Sequence, residues 1–147
     1  MDTSAQVGVR ESRHVRGLYT LTAQDLIEER QFEDPIALGG YPIDIHNSSA
    51  AGTQTTHLRN DIAYQIPMRS LLLAAPENLI VAGRAISATH EAAAAFRVTP
   101  ISMAIGQAAG TIAAAASAQQ IPANQVAYAE VRGRLERNHA YLKHRPR

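Results

Sequence analysis

Between Ile101 and Ala118 the chain carries no charged residue. It is alanine, glycine, isoleucine and methionine, interrupted only by Ser102, Gln107, Thr111 and Ser117. Alanine has the highest intrinsic helix propensity. The run opens at Thr99-Pro100, where threonine is a good N-cap and a first-turn proline loses nothing, because its N–H would be unpaired anyway. The pattern predicts a helix from Thr99 to about Ala118. Ile101, Ile105, Ala108 and Ile112 fall on one stripe, and Met103, Gly106, Gly110 and Ala113 on another. Gly106 and Gly110 each cost about 1 kcal/mol relative to alanine, so close approach of a neighbouring strand or helix is expected to offset them. A membrane span wants about 20 strongly apolar residues. This run is too rich in small and polar residues, so a buried helix packed on a sheet is expected, in a cytoplasmic protein with no membrane partner.

A chain of 147 residues, 46% of them hydrophobic, can bury a core of its own. Its formal net charge of +1 gives no electrostatic case for nucleic acid. Lys143, His144, Arg145 and Arg147 cluster at the end and read as a solvated tail. Without cysteine, disulfides, thiolate catalysis and cysteine zinc sites are excluded. The first residues have neither the basic nor the apolar region of a signal peptide.

Gln6 to Arg10 and Arg16 to Leu21 read as short strands. Thr22 with Asp25 reads as a capping box opening a helix to about Arg30, which Asp34-Pro35 ends. Gly39-Gly40 marks a turn. Tyr41 to His46 is a strand with Ile43 and Ile45 on one face and Asp44 and His46 on the other. Asn47 to Thr56 is small and polar, a loop, and Ala63 to Met68 is another strand. Asn78 to Gly83 is a compact apolar run, expected as a strand buried on both faces of a parallel sheet. Pro122 breaks the chain, and Asn124 caps a last helix to about Leu142 with Val131, Leu135 and Leu142 on its apolar face.

A buried strand ending at Gly83 and a helix beginning at Thr99 set up a ligand site. The start of a long helix has unpaired N–H groups and the positive end of a dipole, which suit an anion. Ligands of open α/β sheets sit beyond the carboxyl ends of the strands, which puts Gly83-Arg84 and Arg97 to Pro100 at one place.

Asn78 to Ala92 resembles the closing strand and following loop of the FAD-dependent oxidoreductases with a glutathione-reductase-like FAD domain. Arg97-Val98-Thr99-Pro100 and Met103 to Thr111 resemble that family's final helix. Gly8 to Arg13 and Gly40 to His46 are similar to its substrate-domain segments. The resemblance covers about residues 7–118. It implies an α/β fold, the C-terminal part of a two-domain flavoprotein of the FAD/NAD(P)-binding type. Residues 1–70 would belong to the substrate domain, 71–120 would supply the last strand and helix of the FAD domain, and 121–147 would form a terminal helix and tail. It implies FAD as cofactor, hydride transfer with a small-molecule substrate, and cofactor contacts at Gly83, Arg84, Arg97, Thr99, Pro100 and Ile101. His90 and His46 are candidate catalytic residues, each also readable as a structural side chain. His90 and Glu91 are expected in a loop between flavin strand and helix. Arg10, Glu11 and Arg13 form either an ion-pair cluster near the site or a solvated strand end. His14, His57, His139 and His144 show no ligand spacing.

The family pattern begins with Gly-x-Gly-x-x-Gly, whose backbone binds the pyrophosphate. The glycines here stand at 8, 17, 39, 40, 52, 83, 106, 110 and 133, and no two are spaced Gly-x-Gly. The expectation is therefore one wall of a flavin site, shared with a second polypeptide carrying the Rossmann-type FAD half, or with another copy of the chain. The other reading is a structural or interaction module that has lost FAD binding.

Overall fold

The computed structural model describes residues 9–46, 53–56 and 63–143. Gln6 to Gly8 of the strand expected over Gln6 to Arg10, most of the loop from Asn47, His57 and the basic residues after Lys143 fall outside them, and the described Val9 and Arg10 are not in a strand.

Helix α1 (Ala23–Ile27) starts as its sequence dictates. The Thr22 hydroxyl accepts from the Asp25 N–H, and the Asp25 carboxylate accepts from the Thr22 N–H at 2.9 Å, a reciprocal capping box. The Asp25 carboxylate is buried and also accepts from the Tyr19 hydroxyl and from Arg30. Arg30 lies over the Tyr19 and Phe32 rings, which meet edge to face at 5.2 Å.

Four strands follow: β1 (Pro35–Gly39), β2 (Ile43–His46), β3 (Thr53–Thr56) and β4 (Tyr64–Pro67). They form two antiparallel pairs, β1 with β4 and β2 with β3. β1 and β3 fall where the sequence predicted a helix terminator and a loop. Pro35 is tolerated because it is the first residue of its strand, where a missing N–H costs no ladder bond. The polar segment Thr53–Thr56 is a strand because β2 offers it a partner, with Ile43 opposite Thr56 and His46 opposite Thr53.

Three irregular segments tie the pairs to the second half. Val15 donates to the Ala85 carbonyl, Leu18 to Leu72, Leu21 to Ser87, Ser87 to Ser70 and Thr89 to Leu21. Leu21 bridges Ala88 in parallel, so Arg16 to Leu21 is a pairing segment and not a strand. Gly17 permits the approach, since a Cβ there would sit 2.8 Å from the Ser87 Cβ.

Asn78 to Gly83 departs most from expectation. It is not a buried parallel strand. Ile80 makes one antiparallel bridge to Leu72, and Leu79 is 43% exposed. A strand buried on both faces needs a neighbour on each side, and among the described residues this run has a partner on one side only.

Helix α2 (His90–Phe96) occupies part of the expected loop. Thr89 caps it, and its Ala92 to Phe96 stretch is buried. Helix α3 (Thr99–Gln119) matches the predicted span within one residue, but its N-cap is Val98 and Thr99 is already helical. α3 buries Ile101, Ile105, Ala108 and Ile112 and packs against β1 and α4 (Tyr128–Arg137). It is long and apolar enough to cross a bilayer by length and composition, with a mean hydropathy of 1.3. Its second stripe faces outward: Met103 is 69% exposed, and a Cβ at Gly106 or Gly110 would meet nothing within 4 Å. The close neighbour expected at those glycines is therefore not supplied by the described residues. α4 begins after Ala127 and not at Asn124. It buries Val131 and Leu135, and Leu142 is buried beyond its end.

Candidate functional site

The chain passes from α2 to α3 at Arg97-Val98, and the turn Gly83–Ala85 lies against α3. With β2 and the N-terminal segment they enclose a hollow of about 280 Å³, lined by Val9, Arg10, Tyr41, Asp44, Arg84, Arg97 and Val98. Three arginines from segments far apart in the chain thus line it, together with one aspartate. Arg97 donates from Nη2 to the Asp44 carbonyl at 2.8 Å, and Arg84 donates from Nη1 to the Val9 carbonyl. A guanidinium has five N–H donors, so these bonds leave donors over at both residues.

The start of α3 is open beside this hollow. Val98 makes no side-chain capping bond, proline sits in the first turn, and Thr99 and Pro100 are exposed. The dipole of a helix of 21 residues therefore ends where no side chain of its cap satisfies the first amides. Ile101 is buried in the core. Gly83 has φ +66, a conformation favouring glycine, and the space where a Cβ would stand is open. Of the residues predicted to bind cofactor, Arg84 and Arg97 line the hollow. Gly83 and Thr99 adjoin residues that do, while Pro100 and Ile101 lie further into the first turn of α3.

His90 is not in a loop: it is the first residue of α2, and its ring is 59% exposed. Its Nδ1 meets Glu11 Oε2, while Glu11 Oε1 meets His14 Nε2 at 2.9 Å. His14 Nδ1 in turn meets the Ile86 carbonyl at 3.0 Å. Burial works to raise the Glu11 carboxyl, but the bonds from His14 and His90 outweigh it and hold the group below its ordinary value. No spacing rule marked His14, because its partner Ile86 is 72 residues away. His46 ends β2, with Thr53 opposite it; its side chain lies outside what is described.

A larger hollow of about 510 Å³ lies between Leu18, Asp34, Met68, Arg69 and Tyr128. None of the predicted site residues reaches it. Of its three charged residues, Glu33, Asp34 and Arg69, the last two pair, with Arg69 donating from Nε and Nη2 to the two Asp34 oxygens at 3.0 Å.

The chain mixes helix and strand and sets arginines beside the open start of a long helix, an arrangement chemically suited to an anion. The family is more specific. The model of the family described as FAD dependent oxidoreductase matches residues 1–135, and the chain belongs to that family. Membership implies FAD as the cofactor. No curated protein and no solved structure matches the chain.

Proposed function

We propose that this chain supplies one wall of an FAD site in an oxidoreductase, and that a second polypeptide brings the ADP-binding half. The observation that carries the reading is the convergence of Arg10, Arg84 and Arg97 on one hollow beside the uncapped start of α3. This donor set fits an anionic cofactor. Arg84 and Arg97 would hold phosphate or carboxylate oxygens, and the amides at Thr99 and Ile101 would face the flavin. FAD held there would supply a hydride acceptor for a small-molecule substrate, and these residues would face the side of the ring on which negative charge develops. A helix start stabilises such charge without giving up a proton.

The case for sharing rests on two further observations. No pair of glycines is spaced for the pyrophosphate turn. The outward stripe of α3 and the half-paired run at Leu79 are apolar surfaces of the kind that mark an interface. In this reading, residues 1–70 belong with the substrate domain and 71–120 with the FAD domain.

One observation favours the other reading, a structural module without cofactor: Arg84 and Arg97 each already hold a backbone carbonyl of their own chain. Co-expression with a polypeptide carrying Gly-x-Gly-x-x-Gly separates the two. The expected result is a colourless chain alone and a complex with oxidised-flavin absorbance and one FAD per pair. FAD retained tightly by the chain alone would overturn the sharing. A colourless complex with every such partner would leave the structural module.

A further inference from the structure

We propose that Glu11 is a positioning residue that holds the His90 imidazole with Nε2 outward for proton exchange, and that His14 holds Glu11 in turn. The geometry is a chain of four groups: Ile86 carbonyl, His14 ring, Glu11 carboxylate, His90 ring. The Ile86 carbonyl only accepts, so His14 Nδ1 carries a hydrogen. The other nitrogen of His14 meets a carboxylate oxygen, so one proton holds that contact together. Glu11 is thereby fixed at one oxygen and spends its second on His90. Among the described residues His90 Nε2 has no partner.

Magnitude separates this from a structural ion pair. The Glu11 side chain is only 22% exposed but the His90 ring is largely in solvent, and a pair so exposed adds little to stability. What the contact biases is ring orientation and tautomer, because the bond at one imidazole nitrogen decides which nitrogen bears the hydrogen. With Nδ1–H held on the carboxylate, Nε2 is the basic nitrogen and points outward. Arg10, the neighbour of Glu11, lines the arginine hollow.

The reaction it would serve rests on the flavin reading above. With flavin as the hydride acceptor, a substrate bearing an alcohol or amine beside a C–H bond would give up hydride from that carbon. The O–H or N–H bond breaks with it, its electron pair forms the C=O or C=N bond, and its proton goes to His90 Nε2. Glu11 then faces an imidazolium and stabilises it.

The test needs neither flavin nor substrate. Long-range proton–nitrogen NMR spectra of the chain alone, recorded over a pH series from protonated to neutral rings, report how many hydrogens each histidine carries and, once a ring is neutral, its tautomer. Wild type should show His90 mainly as the Nδ1–H form. Glu11→Ala should cut that form by at least half with unchanged circular dichroism, and His14→Gln should cut it by a smaller fraction. If Glu11→Ala fails to fold, Glu11→Gln keeps the shape, and its amide should likewise lower the Nδ1–H fraction. An Nε2–H His90 in wild type, or an Nδ1–H fraction that neither Glu11 variant moves, would overturn the proposal. Because a colourless preparation gives the same spectra, failure here stays distinct from failure of the flavin reading.

Discussion

Tyr64 lies across Gly39. The two face each other in the β1–β4 register, and a Cβ at position 39 would stand 2.4 Å from Tyr64 Cε2. The ring fills the place a side chain would take. Tyr64 is almost wholly buried, and burial pushes its hydroxyl well above the ordinary tyrosine value against a small opposing effect of the Tyr41 backbone. Gly39→Ala should therefore destabilise the chain by about 1–3 kcal/mol, the usual cost of overpacking. Urea denaturation checks this. A Gly39→Ala, Tyr64→Leu double variant should lose less than the sum of the singles, and strict additivity would mean the ring can step aside.

Gly83 differs in cause. Its φ of +66 makes a side chain strained although the space around it is open. Gly83→Ala should cost about 1–2 kcal/mol through the backbone alone. A shift of the denaturation midpoint without a change in slope would show it, and no shift would mean the turn relaxes freely.

The acid limb of stability should depend on Asp25 and Glu11. Burial raises the Asp25 carboxyl, but the Thr22 backbone and hydroxyl, Tyr19 and Arg30 together hold it below its ordinary value. Both carboxyls are depressed in the folded state, so the unfolded chain binds more protons across the acid range. Their stabilisation is present above the ordinary carboxylate value of about 4 and lost as pH falls toward the folded values. Asp25→Asn should cost about 1–3 kcal/mol at neutral pH, the range for leaving buried donors poorly matched. The gap to wild type should narrow by pH 3. A constant gap from pH 7 to pH 3 would contradict this.

Arg97 separates a structural arginine from a ligand-binding one. Arg97→Ala removes the donor to the Asp44 carbonyl and should cost about 0.5–1.5 kcal/mol of stability. Arg97→Lys keeps the charge but loses the planar fork. In the reconstituted complex the lysine variant should retain FAD about tenfold less tightly, a loss on the order of 1.4 kcal/mol. Equal FAD affinity in both variants and wild type would make Arg97 purely structural.

What the sequence made legible was local. The Thr22–Asp25 box and the span of α3 were readable because a cap and an uninterrupted small apolar run act within a few residues. β2 was readable from alternation, and β4 lies inside the strand expected over Ala63 to Met68 although its four residues are all buried. β1 was masked by Asp34-Pro35, since a proline that ends a helix and one that opens a strand look alike without knowledge of the partner. β3 has no apolar alternation and exists through β2. The misreading at Asn78 to Gly83 came from taking composition as burial, when burial depends on flanking strands. The arginine pair was anticipated through Arg84 and Arg97. Tyr41 and Val9 joined them only because β2 and the N-terminal segment fold over the α2–α3 junction.

The weave between residues 15 and 88 has a consequence for the timing of synthesis. Val15 waits for Ala85, Leu18 for Leu72 and Leu21 for Ser87. Ribosomes add about 5–20 residues per second, so roughly 4–15 s pass between the emergence of the first partner and the last. Leu18 lacks its native backbone partner until Leu72 has emerged, and Leu21 until Ser87 has. This stretch of the nascent chain is where a chaperone would find its longest opportunity, and where slowed translation would most raise the risk of aggregation.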